Sequence, residues 1–218
     1  MRTLAILSVA AAALSACTTV PDRAYYPDPA EPETKAVSHA LWRTALAAGG
    51  DPHRYSFALI ATQDVSAYSA EHGVLYVTRG LARQPLRVLE PLVATQVAHD
   101  LLGHRGERRT LAVALGASFT VLGVAVPGLG LLDFFASPLI IRAWTRDQAL
   151  AADRKTVDVL GQMGYTAPRR ALAEALGAAA VVNGKPSGGL LAAEPELDTR
   201  LAALEPLEPL TAATPAAR

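Results

Sequence analysis

The strongest constraint on the fold is an apolar stretch that ends at the only cysteine of the chain. Leu4–Leu14 consists mostly of alanine, leucine and valine, follows Arg2, and is separated from Cys17 by two small residues. It is shorter than the roughly 20 residues that a bilayer core requires, as in the apolar part of a secretion signal. A single cysteine permits no intramolecular disulfide. The folded domain therefore follows this stretch and depends on a non-covalent core, for which the 51% hydrophobic content supplies material.

The segment Leu14 to Cys17 resembles the bacterial lipobox, in which the cysteine is acylated and becomes the first residue of the mature protein. The resemblance implies that residues 1–16 are a signal peptide and that lipid on Cys17 holds the protein on a membrane. An ordinary secretion signal with an incidental cysteine is the alternative. Thr18 is not the aspartate associated with inner-membrane retention, so the resemblance favours the periplasmic side of the outer membrane in a bacterial cell envelope.

The mature chain divides into a tether, one domain and a tail. Residues 17–35 contain four prolines and no apolar periodicity, which predicts a flexible linker after the lipidated cysteine. Residues 36–206 form the predicted domain, and the proline- and alanine-rich residues 207–218 form a disordered tail. Apolar spacing predicts helices at 36–48, 85–109, 145–163, 168–182 and 194–204, with strands at 55–61 and 73–78.

One apolar segment inside the domain allows two interpretations. Thr110–Leu132 carries no charge and matches the length of a membrane-spanning helix. Glycine and proline break its last third, so we favour an apolar helical hairpin over residues 110–141. The charges of the chain balance, with 20 basic and 20 acidic residues, and this gives no reason to expect nucleic acid as a partner.

Three segments resemble, in order, the zinc metallopeptidases of the HtpX and CAAX prenyl endopeptidase type. Val65–Leu81 is similar to the family pattern V-N-A-F-A-x-P-G-G-x-I-x-V-x-x-G-L without a gap. Val97–His104 is similar to L-A-H-E-x-G-H, and the run from Thr145 to Arg154 is similar to S-R-x-x-E-x-x-A-D-R. The resemblance implies an α+β fold: a mostly helical, zincin-like metallopeptidase domain with a small β-sheet. It also implies that an edge strand near Val74–Thr78 holds a peptide by strand addition.

In that family two histidines on one helix face and a glutamate from a later helix bind zinc, and a second glutamate acts as general base. The resemblance assigns the histidine positions to His99 and His104, the base position to Asp100, and the position of the third ligand to Ala149. It assigns Asp153 to the residue that orients a ligand from the second coordination shell.

This sequence departs from the pattern at each ligand position. His99 and His104 are five residues apart, so a regular helix separates them by about 140° instead of the about 40° of an i, i+4 pair. A one-residue π-bulge between them would restore the alignment. Asp100 is one methylene shorter than glutamate, and alanine at 149 cannot bind metal.

Three classes of function remain open from the sequence. The first is a degenerate, non-catalytic peptidase relative that binds protein or peptide in the envelope and needs no cofactor. The alternative is an active zinc endopeptidase with a non-standard site that serves envelope quality control. A third class is a structural lipoprotein whose 110–141 hairpin contacts lipid. Trp42 could lie at a membrane interface, but we expect it in the core.

Overall fold

The structure, a computed structural model, describes residues 23–70, 73–103, 130–184 and 197–209, and for 130–145 the backbone alone. Over these residues the chain forms several helices around a small mixed sheet. The predicted α+β class, mostly helical with a small sheet, is confirmed. Residues 1–16, Cys17, His72 and His104 lie outside the described ranges.

The sheet has four short strands in the order β1-β2-β4-β3. The strands are β1 (Ala24–Tyr25), β2 (Ser56–Ile60), β3 (Ala67–Ser69) and β4 (Val74–Thr78). Strands β2 and β4 are parallel, and the two outer pairs are antiparallel. Strand β4 matches the strand predicted at 73–78, but the expectation that it forms the edge is wrong. It is interior because β3, too short to show a two-residue period in the sequence, folds back and pairs with it.

The helices pack against one face of the sheet. They are α1 (Pro32–Ala47), α2 (Arg79–Ala82), α3 (Leu86–Leu101), α4 (Gly130–Gln162), α5 (Pro168–Asn183) and α6 (Leu197–Leu204). Helix α3 lies at the centre, in contact with α1, α4, α5 and β3. Its buried residues, with Leu59, Leu75 and Val77 of the sheet, belong to one hydrophobic core.

A buried ion pair fixes α3 against its neighbours. The Glu90 carboxylate, on a residue 2% exposed, accepts hydrogen bonds from Arg43 Nη1 of α1 at 2.6 Å and from the Tyr165 hydroxyl at 2.6 Å. Arg43 Nη2 also donates to the carbonyl of Met163 at 3.1 Å. Burial, and then Glu90, raise the pKa of Tyr165, which keeps this hydroxyl a donor. The network joins α1, α3 and the residues that follow α4.

The predicted tether is shorter than the sequence indicated. Strand β1 and the first turn of α1 lie within residues 17–35, which were expected to be linker throughout. The proline content caused the difference, because Pro32 is the first residue of α1, where a missing N–H costs nothing. The folded domain also extends past residue 206, where the disordered tail was predicted to begin. The Glu208 carboxylate accepts hydrogen bonds from the backbone N–H groups of Arg169 and Arg170 at the start of α5, both at 3.0 Å.

The second arm of the predicted 110–141 hairpin and the helix predicted at 145–163 are one helix. Helix α4 runs without a break from Gly130 to Gln162. The sequence changes from apolar to charged residues near 145, and this change suggested a boundary between two elements. The backbone remains helical across it. Gly164 then ends the helix with φ of 92°, in the left-handed region that glycine favours. Residues 110–129 lie outside the described ranges, and no helix within those ranges is both long and apolar enough to cross a bilayer.

Candidate functional site

The last turns of α3 carry two of the residues to which the resemblance gives chemical roles, His99 and Asp100. Strand β3 lies against this helix, and the Ser69 N–H donates to Gln96 Oε1 at 3.0 Å. The edge strand of the sheet therefore passes beside the helix that carries His99 and Asp100. This contact could not be predicted from the sequence, because β3 is too short to show a pattern and Gln96 belongs to no motif.

Asp100, at the general-base position, is held by partners from the segment between α1 and β2. Its Oδ2 accepts a hydrogen bond from the Tyr55 hydroxyl at 3.2 Å and lies 3.4 Å from Arg54 Nη2. Burial, and then the negative charge of Asp100, raise the pKa of Tyr55 to about 12, so this hydroxyl stays protonated and donates. Asp100 thus connects the end of α3 to the short 3-10 turn Pro52–Arg54 and to Tyr55, the residue directly after that turn.

The π-bulge that would align the two histidines is absent from the described part of α3. The Leu102 N–H donates to the carbonyl of Ala98 at 3.0 Å, the regular i to i−4 bond. The Gly103 N–H then donates to the carbonyl of Asp100 at 3.0 Å, and Gly103 has φ of 67°. This is the glycine-terminated end that many helices show. The helix that carries His99 therefore ends at Leu101, three residues before His104.

Helices α3 and α4 are antiparallel, and this order determines what faces His99. Glu90 of α3 bonds to Tyr165, just beyond the end of α4. Five residues further along α3, Thr95 lies 3.4 Å from Thr156 of α4, measured between the hydroxyl oxygens. By helical periodicity, one more turn of each helix leads from these threonines to His99 on α3 and Ala152 on α4. Ala149, at the position of the third ligand, is buried and offers no donor atom.

Asp153 is 1% exposed, and both of its carboxylate oxygens accept hydrogen bonds from Arg200 of α6. Arg200 Nε donates to Oδ2 at 2.8 Å and Nη2 donates to Oδ1 at 2.5 Å. This paired geometry is the strongest that arginine makes with a carboxylate. The sequence singled out both segments but not their pairing. In this structure the residue that the resemblance assigns to orienting a ligand fastens α6 to α4.

The part of the chain that the structure describes, which does not include His104, contains no group of three or more histidine, cysteine, aspartate or glutamate side chains that could hold a metal. His53 has its ring against Trp42, with 5.2 Å between the centroids. Trp42 is itself 46% exposed, so the expectation that it lies in the core is wrong.

A comparison of the chain with models of protein families gives no match, and a comparison with curated proteins gives none either.

Proposed function

We propose that this chain is a lipid-anchored protein of the bacterial envelope whose metallopeptidase-like domain binds an extended peptide and does not cleave it. One observation carries the second half of the proposal. By the resemblance, hydrolysis would need a general base at position 100 and a metal ligand at position 149. In this chain Asp100 is bound by Tyr55 and Arg54, and Ala149 is a buried residue without a donor atom. A carboxylate held by two donors is a poor base for activating water.

The edge of β3 supports a role in binding. In the β3–β4 ladder, Ser66 and Ala70 bond to β4, so the N–H and carbonyl of Ala67 face away from it. A peptide in extended conformation could add to this side of the sheet, as in other edge-strand complexes. The N–H of Ser69 already donates to Gln96, and Asn183 of α5 binds both the N–H and the carbonyl of Val65, at 2.7 and 3.0 Å. The addition is therefore limited to a short stretch centred on Ala67.

The test of the non-catalytic half uses the purified protein without its signal peptide. After zinc loading and removal of free metal, we expect less than one zinc per chain and no turnover of casein. Wild type and His99→Ala should behave alike. Stoichiometric zinc together with proteolysis that is lost in His99→Ala would overturn the proposal and establish the zinc endopeptidase. Mass spectrometry of the N-terminal peptide from cell membranes tests the anchor, which requires acyl groups on Cys17.

Binding at the edge strand predicts a specific effect of Ala67→Pro. Proline removes the outward N–H of Ala67, and the hydrogen bonds between β3 and β4 remain. The loss of one hydrogen bond should weaken binding of a peptide selected from a displayed random library about tenfold, which corresponds to about 1.4 kcal/mol. Fluorescence anisotropy with the labelled peptide measures the change.

Ala67→Ser is the matched control for Ala67→Pro, because it keeps the N–H and should bind the peptide as the wild type does. Equal thermal unfolding of the three proteins shows that the sheet is intact. Equal affinity of Ala67→Pro and Ala67→Ser would exclude this edge as the site of binding.

A further inference from the structure

The face of the sheet that points away from the helices carries a row of tyrosines. Tyr68 of β3 pairs with Tyr76 of β4, and Tyr76 pairs with Ala58 of β2. One step beyond the last pair of the β1–β2 ladder, Tyr26 comes opposite Ala58. Tyr26 is 92% exposed and Tyr68 is 48% exposed, and neither they nor Tyr76 pack against the main core. Two tyrosines on β3 and β4 and a third directly after β1 therefore form one row, which we call the tyrosine face.

The tyrosine face lacks the charges that a solvent-facing sheet surface usually carries. The four strands contain no aspartate, glutamate, lysine or arginine. An open sheet normally alternates apolar residues towards the core with polar or charged residues towards water. An uncharged surface of this kind, bearing large amphipathic rings, marks a contact with something other than water.

The position of the proposed anchor indicates what that contact is. Six residue steps separate Cys17 from Arg23, which directly precedes β1, and a fully extended chain of this length reaches about 20 Å. The row from β1 to β3 crosses three strand spacings of about 4.8 Å each, or about 14 Å. All three tyrosines therefore lie close enough to the lipid of Cys17 to reach the same bilayer surface.

We propose that the tyrosine face lies on the lipid surface, with the rings of Tyr26, Tyr76 and Tyr68 at the level of the headgroups. Tyrosine is enriched at this level of membranes, because its ring is apolar and its hydroxyl finds polar partners. The inference rests on the lipid anchor of the proposed function. It adds an orientation, in which the sheet faces the bilayer, the helical layer faces the aqueous space, and the edge of β3 opens along the membrane plane.

The test places one fluorescent label at a time on the acylated full-length protein in vesicles of phosphatidylethanolamine and phosphatidylglycerol. Acylation blocks Cys17, so Tyr26→Cys, Tyr68→Cys or Leu46→Cys each provides the single reactive thiol. Leu46 is the matched control, because it is apolar, 55% exposed and lies on α1 in the helical layer. We expect headgroup-level nitroxide lipids to quench positions 26 and 68 at least about threefold more than position 46.

The possible outcomes separate the inference from the anchor. Equal, weak quenching at all three positions on a chain whose N-terminal peptide carries lipid overturns the orientation and leaves the anchor standing. Stronger quenching at position 46 than at positions 26 and 68 would place the helical layer on the bilayer, and it would also overturn the proposed orientation. An N-terminal peptide without lipid overturns both proposals. A further variant, Tyr26→Ser with Tyr76→Ser, should increase the exposure of the label at position 68 to a water-soluble quencher at least about twofold.

Discussion

At the scale of single residues, the site is defined by partners that are distant in sequence. Tyr55 reaches Asp100 across 45 positions, and Arg200 reaches Asp153 across 47. The resemblance to zinc metallopeptidases assigns the general base to Asp100 and a ligand-orienting role to Asp153, but each carboxylate is bound by a donor of the fold. Their role in this chain is to hold elements together.

The hydrogen bond between Tyr55 and Asp100 predicts a pH dependence of stability. Because the pKa of Tyr55 rises from 10 to about 12 on folding, the stabilisation that this shift represents is fully present below pH 10. It is lost as the pH rises from 10 to about 12. Urea unfolding of the wild type and of Tyr55→Phe should show a difference in free energy that shrinks over this window. Tyr165, whose pKa is also raised, is present in both proteins and cancels in the difference.

A difference between these two proteins that stays constant across the window would show that Tyr55 ionises equally in the folded and unfolded chains. Tyr68→Phe is the control. Tyr68 lies on the outer face of the sheet, and its hydroxyl does not take part in the hydrogen bond between Tyr55 and Asp100. We expect Tyr68→Phe to follow the wild type at every pH.

Part of this site follows from the sequence and part of it does not. Alanine at 149, the five-residue spacing of His99 and His104, and aspartate at 100 are local facts, and they predict a weakened zinc motif without coordinates. The partner of Asp100 is not local, since Tyr55 precedes β2 and has no motif of its own. The sequence also predicts that this helix runs to residue 109, whereas α3 ends at Leu101, because Gly103 adopts the left-handed conformation that terminates a helix.

At the scale of elements, helix α3 is held in place by more than apolar packing. Arg43, Glu90 and Tyr165 connect it to α1 and to the residues after α4. A charge buried as deeply as that of Glu90 is tolerated only while it remains paired. The network therefore fixes the position of the helix that carries His99, and with it the gap between α3 and α4.

Arg43→Ala should be strongly destabilising for this reason. It leaves the Glu90 carboxylate buried with the Tyr165 hydroxyl as its remaining partner, at a cost of about 3 kcal/mol. Arg83→Ala is the matched control, because it also removes an arginine from an ion pair, but Arg83 pairs with Glu33 at the surface. Chemical denaturation should show a far smaller loss for Arg83→Ala. Equal losses for the two variants would mean that the Glu90 pair adds nothing beyond a surface pair.

Element boundaries show where sequence patterns fail in this chain. Prolines at 27, 29 and 32 predicted a linker, but Pro32 begins α1, since proline fits the first turn of a helix. Strand β3 has three residues, too few for an alternating pattern, and its absence from the prediction gave β4 the wrong place in the sheet. Helices α1 and α5 were predicted close to their observed bounds, because their periodicity repeats several times.

At the scale of the whole molecule, two surfaces of one small sheet serve different proposed contacts. As proposed, the edge of β3 would hold the peptide and the tyrosine face would meet the lipid, while the helical layer supplies the core. The short distance from Cys17 to β1 makes these contacts compatible, because lipid on Cys17 would keep the sheet close to the membrane. A peptide bound at β3 would then belong to a chain that is itself at or near the bilayer surface.

The central position of α3 has a consequence for how the molecule moves. A helix covered by α1, α4, α5 and β3 cannot open without the loss of the core, so its amides should exchange with deuterium only through global unfolding. The amides of Leu102 and Gly103, at its exposed end, should exchange far earlier. Mass spectrometry of peptides from both regions measures this contrast. The boundary between the slowest and the fastest exchange should fall within a few residues of Asp100, so the last turn of α3 is where the molecule can respond to a bound peptide without unfolding.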